Sequence, residues 1–232
     1  MKARFKEFNS KKFSFHNDPV LVLEDFWSKE DRDIFQAAMD KCEWKRRSEI
    51  PEVSGTFPGC GDWSKAEIAQ SEASFLLDRV TLPCIPDFIE SFPRIKQRHM
   101  SFSYYSYGVG DCLSTHDDIG EQYAGTQKPK QVDEGGRERS QQPFSALRRI
   151  AMVCYLHNEW DHDWGGELII YDNRKGKDGQ RRLEVSYCLE PKPGSIVFFT
   201  VPRFHRVCRV DPLANDHQRL SIGGWFMTEH FP

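Results

Sequence analysis

The sequence predicts a mainly β protein, in which a barrel or sandwich of short strands is supported by helices at its N-terminal end. From residue 100 onward, short runs of β-branched and aromatic residues recur at the spacing typical of such folds. Ahead of them, apolar residues recur at helical spacing. The 232 residues fit one large domain better than two. We therefore expect a single domain over 1–232, with helical support over about 1–95 and a β core over about 96–230.

The N-terminal part predicts one strand and two helices. Residues 19–26 are aliphatic and β-branched, which favours a strand, and residues 28–31 read as a capping box that begins a helix. Residues 48–62 are rich in Gly and Pro and predict a loop, and a second helix is expected over 64–82. The apolar positions of the first helix are Ile34, Phe35, Ala38, Met39 and Cys42.

The β core is predicted from residue 100 onward, with one polar interruption. The stretch 119–145 has almost no apolar residues and is expected to be mobile. This stretch directly follows His116 and Asp118, a candidate metal motif, and we hypothesise that it is a substrate lid. The alternative is an insertion without a role. The predicted strands are 100–107, 112–118, 149–156, 166–171, 183–189, 195–200, 204–210 and 219–227.

Composition argues against several classes of protein. A formal net charge of -3 lacks the basic excess of a nucleic-acid-binding surface. The basic residues of the first 17 positions alternate with Phe, so no signal peptide is expected, and no apolar run approaches membrane-span length. The seven cysteines are scattered and include no Cys-x-x-Cys pair. We expect a reduced, cytoplasmic protein without nucleic-acid or membrane partners.

The segment 113–120 contains half of a candidate metal site. His116 and Asp118 are two positions apart, which in a strand points both side chains to one face. A second histidine would complete the 2-His-1-carboxylate set that binds divalent first-row metals. The motif alone is weak, because a solvated His beside two turn-forming Asp residues gives the same pattern. His205, which follows an apolar strand and a Val-Pro-Arg turn, is the best second histidine.

Arg219 and Ser221 lie on one face of the last predicted strand. An arginine deep in a barrel needs an anion, because burying it unpaired costs several kcal/mol. A dicarboxylate could provide that anion through a bidentate contact. The alternative is that Arg219 pairs with an acidic residue of the chain itself.

The remaining His, Asp and Cys candidates are interpreted as structural. A second metal cluster between two predicted strands is conceivable, but a solvated loop is the favoured interpretation there. The residues of that loop are His157, Glu159, Asp161 and His162. We expect His217 in a surface loop, Asp117 in a turn, and Cys112 and Cys154 as thiols packed in the core.

Several further motifs occur in a fixed order along the chain, and together they resemble the iron(II)/2-oxoglutarate-dependent dioxygenases, in particular the prolyl-hydroxylase-like branch. The similarity extends from about Phe102 to Phe226. The motifs are Tyr107–Asp111, His116–Asp118, Tyr155–Trp160, Trp164–Tyr171, Pro193–Phe199, His205 and Arg219–Phe226.

The resemblance implies a double-stranded β-helix, which is a cupin-like jelly roll, and a set of site residues. His116, Asp118 and His205 would bind Fe(II), and Arg219 would hold the distal carboxylate of 2-oxoglutarate. The implied hydrogen-bonding neighbours are Ser221, Tyr107 and Tyr155, with Tyr105 competing with Tyr107, and the implied pocket residues are Trp225, Leu168 and Val153.

The implied activity is hydroxylation of an unactivated C–H bond, with 2-oxoglutarate converted to succinate and CO2. O2 would be consumed, and ascorbate would support turnover. The branch points to a prolyl residue in a protein or peptide, as in prolyl 4- or 3-hydroxylases. The alternatives are a free amino acid or a small-molecule natural product as substrate, and a non-catalytic cupin-like binding module. Asp118 in place of a small residue favours hydroxylation over halogenation.

Overall fold

The computed structural model describes residues 2–3, 20–69, 71–72, 75–76, 95–119, 121–123, 145–176 and 178–230. They are mostly β, as the sequence predicts. The helices are α1 (Lys29–Met39) and α2 (Pro51–Ser54), with 3-10 turns at Arg47–Glu49, His162–Trp164 and Pro212–Ala214. The strands are β1 (Lys2–Ala3), β2 (Val20–Glu24), β3 (Lys45–Arg46), β4 (Ser64–Glu67), β5 (Ile95–Tyr107), β6 (Leu113–His116), β7 (Glu121–Tyr123), β8 (Ser145–Tyr155), β9 (Leu168–Lys175), β10 (Arg181–Leu189), β11 (Ile196–Thr200), β12 (His205–Val207) and β13 (Arg219–His230).

The strands form two antiparallel sheets, as expected for a jelly roll. The large sheet has the order β1-β2-β11-β8-β13-β5-β4-β3, with β7 paired to β8, and the small sheet has the order β10-β9-β12-β6. One apolar cluster joins the large sheet to α1, and a second joins it to the small sheet. The large sheet is therefore buried on both faces near its centre.

The short strand β2 illustrates why the sequence folds this way. Leu21 and Leu23 pack in the cluster that contains α1, whereas Val20 and Val22 pack in the cluster toward the small sheet. Because alternate residues of a strand face opposite sides, a strand covered on both faces needs a continuous apolar run. The run Val-Leu-Val-Leu meets that requirement.

The predicted first helix is confirmed. The Ser28 hydroxyl accepts a hydrogen bond from the Asp31 backbone N–H at 3.1 Å, and the Asp31 carboxylate accepts one from the Ser28 N–H at 3.0 Å. Phe35 and Met39, four positions apart, are buried on one side. Ile34 was expected on the same apolar face, but this residue faces solvent and is 53% exposed.

Three expectations on connecting segments need correction. Residues 64–67 form the strand β4, which pairs with Ser103–Ser106 of β5, because sheet pairing overrides the helical pattern there. Within the predicted loop 48–62, Pro51 begins the short helix α2, consistent with the preference for Pro in the first helical turn. Residues 121–123 of the predicted mobile stretch pair with β8. Most other residues of the hypothesised lid lie outside the described residues. Most of the expected second helix also lies outside them, although residues 71–72 and 75–76 are helical.

Among the residues that the structure describes, none of the helices has the length and apolar character needed to cross a membrane.

Candidate active site

The candidate metal site is built on two neighbouring strands of the small sheet. His116 ends β6 and His205 begins β12, and the two residues stand opposite each other in the antiparallel register. Their ring centroids are 4.2 Å apart. The strand pairing therefore brings together two histidines that lie far apart in sequence.

Asp118 completes the cluster by a turn rather than by strand alternation. The sequence predicted a strand through Asp118, but β6 ends at His116, and Asp118 has a left-handed backbone with φ 57°. Asp tolerates this conformation better than most residues, and strained backbone of this kind is concentrated at functional sites. One carboxylate oxygen lies 3.2 Å from Nε2 of His116 and the other 3.4 Å from Nε2 of His205. The predicted His-Asp-His group is thus assembled, with one ligand atom of each residue within 4.8 Å of the others.

Both histidines are oriented by backbone carbonyls. Nδ1 of His116 lies 2.8 Å from the carbonyl oxygen of Ser114, and Nδ1 of His205 lies 2.7 Å from that of Arg203. A carbonyl oxygen can only accept, so Nδ1 carries the proton and Nε2 is left as the donor atom for a metal. Two imidazole nitrogens and a carboxylate on one side of a site are the donor set preferred by non-haem Fe(II). The residues present fit that metal.

Electrostatics in this cluster favour an ionised Asp118. Burial opposes its ionisation, but the hydrogen bond from His116 and the charges of both histidines outweigh burial and lower the pKa of Asp118 to about 2. Burial lowers the pKa of His205 to about 4, helped by the charge of His116. For His116, burial acts in the same direction, but the hydrogen bond and charge of Asp118 prevail and raise its pKa. Asp118 and His205 therefore favour the protonation states that bind a metal, whereas a metal at Nε2 of His116 would displace the proton that the neighbouring carboxylate favours.

Trp225 and Arg148 cover the carboxylate of Asp118. The indole N–H of Trp225 donates to Oδ2 of Asp118 at 2.8 Å, and the Arg148 guanidinium lies 3.8 Å from Oδ1. That guanidinium is stacked on the Trp225 ring, 3.7 Å from its centroid. Trp225 was predicted near the metal pocket. Arg148 was not predicted.

Arg219 is buried beside two tyrosine rings at the other end of the site. It is 2% exposed, its Nε donates to the carbonyl oxygen of Gly166 at 2.8 Å, and its Nη2 lies 3.4 Å from the hydroxyl of Tyr155. The guanidinium is 4.9 Å from the Tyr155 ring and 5.4 Å from the Tyr107 ring. Among the described residues, the partners of this guanidinium include no carboxylate, so the alternative of an internal ion pair finds no support there.

The cosubstrate-binding roles expected of Ser221, Tyr107 and Tyr155 stay predictions, and the structure shows where these side chains lie. Ser221 is 2% exposed and stands opposite Tyr155 of β8 and Tyr105 of β5. Burial raises the pKa of Tyr107 and of Tyr155, so both hydroxyls keep their protons and can donate. Burial and the charge of Asp118 raise the pKa of Tyr105 to about 12, whereas the Tyr107 ring lies 5.4 Å from the Arg219 guanidinium.

Leu168 and Val153 lie between the two sheets, next to the site. Leu168 is 1% exposed within the inter-sheet cluster, and Val153 packs against the same cluster together with Trp225. Both therefore pack in the apolar layer that also contains Tyr155 and Trp225, and their role as pocket residues stays a prediction.

His157 overturns one sequence interpretation, because it is buried and not part of a solvated loop. It is 4% exposed, and its two ring nitrogens face backbone carbonyls. His162, in contrast, is exposed between Asp161 and Asp163, and the three form an exposed group of acidic and imidazole side chains.

The other structural interpretations agree with the structure. The Asp117 carboxylate accepts a hydrogen bond from the Ile119 N–H at 3.1 Å in a turn, and Cys112 and Cys154 are buried. His217 is half-buried and bonds to Glu159 at 2.8 Å.

One further residue beside the metal cluster was missed. Phe57, from the segment after α2, lies edge-on to His116 with ring centroids 5.4 Å apart. Its Gly/Pro-rich surroundings predict only a loop, and no periodic signal could have placed it at the site.

The sequence is similar to a known protein family and to two named relatives. The family model of the 2OG-Fe(II) oxygenase superfamily matches residues 100–227. Prolyl 3-hydroxylase OGFOD1 of Mus musculus is 40% identical over 81 residues, which is 34% of this chain and 14% of that protein. The Xenopus laevis protein of the same name is 38% identical over 82 residues, or 34% of this chain and 15% of its own length. The match thus spans only a small part of these relatives.

Solved structures share the fold at low sequence identity. A prolyl-4-hydroxylase of Pseudomonas putida aligns with a TM-score of 0.55 and 16% identity, over 92% of this chain and 95% of that one. A Trichoplax adhaerens prolyl hydroxylase, solved with a hypoxia inducible factor peptide fragment, aligns with a TM-score of 0.59 and 13% identity, over 92% and 86%. These likenesses confirm the predicted fold.

Proposed function

We propose, because the chain belongs to the 2OG-Fe(II) oxygenase superfamily, that it hydroxylates a prolyl residue of a protein or peptide. The enzymes of this superfamily use Fe(II), 2-oxoglutarate and O2. Proline as the target is supported by the two similar sequences that are named prolyl 3-hydroxylases. The co-products would be succinate and CO2.

His116, Asp118 and His205 would hold the metal. Their two Nε2 atoms and the Asp118 carboxylate point to one place, and each histidine is fixed from behind by a carbonyl. Bound there, Fe(II) with 2-oxoglutarate and O2 would supply the oxidising power for C–H hydroxylation. The protein's own task is to hold the ligands on one side, so that the other side is left for cosubstrate and O2.

Arg219 would bind the distal carboxylate of 2-oxoglutarate. Its Nε is taken by Gly166 and its Nη2 approaches the Tyr155 hydroxyl at 3.4 Å, so among the described residues Nη1 and the second N–H of Nη2 are left for an anion. Ser221 and the protonated hydroxyls of Tyr107 and Tyr155 are buried around it and can donate to the same carboxylate. These side chains are nearly fully buried, and burial away from water strengthens each of these contacts.

The structural observation that suits a peptide substrate is Arg148 stacked on Trp225 beside Asp118, whereas proline as the target residue rests on the two named relatives. The Arg148 Nε is buried without a hydrogen-bond partner among the described residues. A guanidinium only donates, and a prolyl residue within a peptide presents carbonyl acceptors on both sides but no N–H of its own. The indole face next to it is apolar and suits the pyrrolidine ring. A peptide carbonyl on Arg148 would place the adjoining ring beside the metal ligands.

A free amino acid or small acid is the second candidate, and the same residue favours it. The carboxylate of such a substrate could form a charge-assisted pair with Arg148. The two candidates differ in what the arginine would grip, a neutral carbonyl or a charged carboxylate.

Mass spectrometry of products distinguishes these functions. Purified protein with Fe(II), 2-oxoglutarate and ascorbate is incubated with proline-containing peptides, their Ala-substituted counterparts and free amino acids. We expect a gain of about 16 Da on the proline peptides alone, which is one added oxygen. Modification of free amino acids but not peptides would favour the second candidate, and an absence of succinate from every mixture would contradict an oxygenase.

Variants of the site provide the matching test of residue roles. His116→Ala, Asp118→Ala and His205→Ala should each abolish substrate-linked succinate formation with the fold retained. Arg219→Ala should raise the 2-oxoglutarate concentration needed for half-maximal rate by at least about ten-fold, because it removes a buried charge-assisted contact. An active variant at any ligand position would overturn the metal assignment. The single domain over 1–232 and the cytoplasmic location stay predictions from the sequence.

A further inference from the structure

We infer that His157 is a positioning residue for Arg219, which it holds in place for the carboxylate of 2-oxoglutarate. The inference rests on the role proposed for Arg219. His157 follows the end of β8 by two residues and is 4% exposed. It lies outside the His-Asp-His cluster, so a buried imidazole remains without a place in the mechanism described so far.

The imidazole of His157 lies between two segments of backbone, with one ring nitrogen facing a carbonyl oxygen of each. Nε2 lies 2.6 Å from the carbonyl oxygen of Pro191, and Nδ1 lies 3.3 Å from that of Leu220. The shorter contact requires an N–H on Nε2. Pro191 lies in the turn ahead of β11, whereas Leu220 lies in β13 between Arg219 and Ser221. The ring therefore donates to the turn at Pro191 and packs against the backbone of the cosubstrate strand at Leu220, for whose carbonyl the neutral ring has no second N–H.

A second path leads from the same ring to the guanidinium. The Trp160 ring centroid is 4.9 Å from that of His157, and its indole N–H donates to the Gly165 carbonyl at 3.0 Å. The next residue, Gly166, accepts the hydrogen bond from Nε of Arg219 at 2.8 Å. The Trp160 ring also packs close to Gly166, since a Cβ added to Gly166 would lie 3.2 Å from that ring. His157 supports Trp160, which supports the carbonyl that orients Arg219.

The charge of His157 suits this role. Burial lowers its pKa to about 4 against the opposing effect of the Pro191 and Leu220 carbonyls, and the positive charges of Arg219 and Arg32 lower it further. At neutral pH the ring therefore supplies one N–H without placing a second positive charge near Arg219. A lysine or arginine at this position could not do so.

Binding of 2-oxoglutarate to the Fe(II)-loaded protein under nitrogen tests the inference without turnover. His157→Leu removes the donor and should weaken 2-oxoglutarate binding by about ten-fold, the effect of one lost hydrogen bond in a buried site. His157→Gln keeps an N–H that can reach the Pro191 carbonyl and should bind within about three-fold of the wild type. Fe(II) affinity should stay within about two-fold in both, because neither variant touches the ligands. His162→Leu is the matched control, since His162 is an exposed histidine of the same loop.

The outcomes separate this inference from the proposed function. If the wild type binds 2-oxoglutarate and Arg219→Ala does not, while His157→Leu binds as the wild type does, the positioning role is wrong. Equal loss of Fe(II) and 2-oxoglutarate affinity in both His157 variants, or no recovery in His157→Gln, would indicate a purely structural role and overturn it. If the wild type itself fails to bind 2-oxoglutarate, the proposed function fails instead. Should His157→Leu not fold, the comparison of His157→Gln with His157→Asn on the same two affinities decides the question.

Discussion

Trp225 and Asp118 are joined by a 2.8 Å hydrogen bond across 107 positions of the chain. The indole N–H donates to Oδ2 of the carboxylate, and Oδ1 lies 3.2 Å from Nε2 of His116. The large sheet, which carries Trp225, thereby fixes a candidate ligand in the turn that follows β6 of the small sheet. Metal-binding carboxylates are commonly held by such outer hydrogen bonds, which limit their rotation.

Replacing Trp225 by Phe should weaken Fe(II) binding. The change keeps an aromatic ring beneath Arg148 but removes the N–H that holds Oδ2, so the carboxylate gains freedom to rotate. We expect Fe(II) affinity to fall by about 10- to 100-fold, the effect typical of lost outer contacts. Anaerobic titration with Fe(II) measures it. Trp44→Phe is the control, because the Trp44 indole donates at 3.1 Å to the Met39 carbonyl, in the cluster that contains α1. Equal affinity in Trp225→Phe and the wild type would refute the holding role.

Arg148→Gln should impair use of a peptide substrate and spare the cosubstrate. The variant loses the guanidinium that we propose to contact the substrate, whereas Arg219 and its pocket remain. We expect the KM for a proline peptide to rise by about ten-fold or more, since charged hydrogen bonds are among the stronger ones. The KM for 2-oxoglutarate should change little. Arg182→Gln is the control, because Arg182 lies on the surface and pairs with Asp178 at 2.6 Å. An unaltered peptide KM in Arg148→Gln would remove Arg148 from substrate binding.

Arg148 also shows where prediction from the sequence ends. Phe226 pairs with Ile150, but Met227 pairs with Arg148, so the register passes over Arg149 and the strand bulges there. Strict alternation would put Arg148 on the face of Ile150, which packs in the cluster that contains α1. The bulge turns Arg148 to the other face, toward Asp118. No feature of the sequence signals a bulge, and the residue was therefore missed.

The predictions that held depend on patterns with a local physical basis. The period-2 runs located the strands of the core, and the Ser28–Asp31 capping pair located the start of α1. The order of motifs predicted that His116, Asp118 and His205 form one group, and the structure places the three side chains together. His157 was placed wrongly because its burial depends on Pro191 and Leu220, two distant residues whose carbonyls it faces. Contacts of this kind follow from the tertiary fold, which the local pattern does not contain.

Gly166→Ala should reduce affinity for 2-oxoglutarate. Gly166 has φ 72°, and an added Cβ would lie 2.9 Å from Cδ of Arg219, so the guanidinium must shift. We expect affinity to fall by about ten-fold, since a displaced arginine loses the geometry of a bidentate contact. Gly179→Ala is a matched control, because Gly179 has a similar φ of 79° but an added Cβ would meet only Lys175 at 3.9 Å. Both changes strain the backbone, and only one should affect the cosubstrate. Equal affinities in the two variants would show that close packing at Gly166 does not position Arg219.

His157 should make the protein less stable in acid. Its pKa in the folded state is lowered to about 4 from the ordinary value of 6.5, with burial as the main cause. The unfolded chain therefore binds the proton more readily, so the stability from the neutral ring is fully present above about pH 6.5 and is lost as pH falls toward 4. Between pH 7 and pH 4.5 this group should cost about 2 kcal/mol, to order of magnitude. His157→Gln cannot take up that proton, so its free energy of unfolding should decline less over this range. Urea unfolding of metal-free wild type and variant at the two pH values measures the difference, and parallel declines would mean that His157 is protonated alike in the folded and unfolded states.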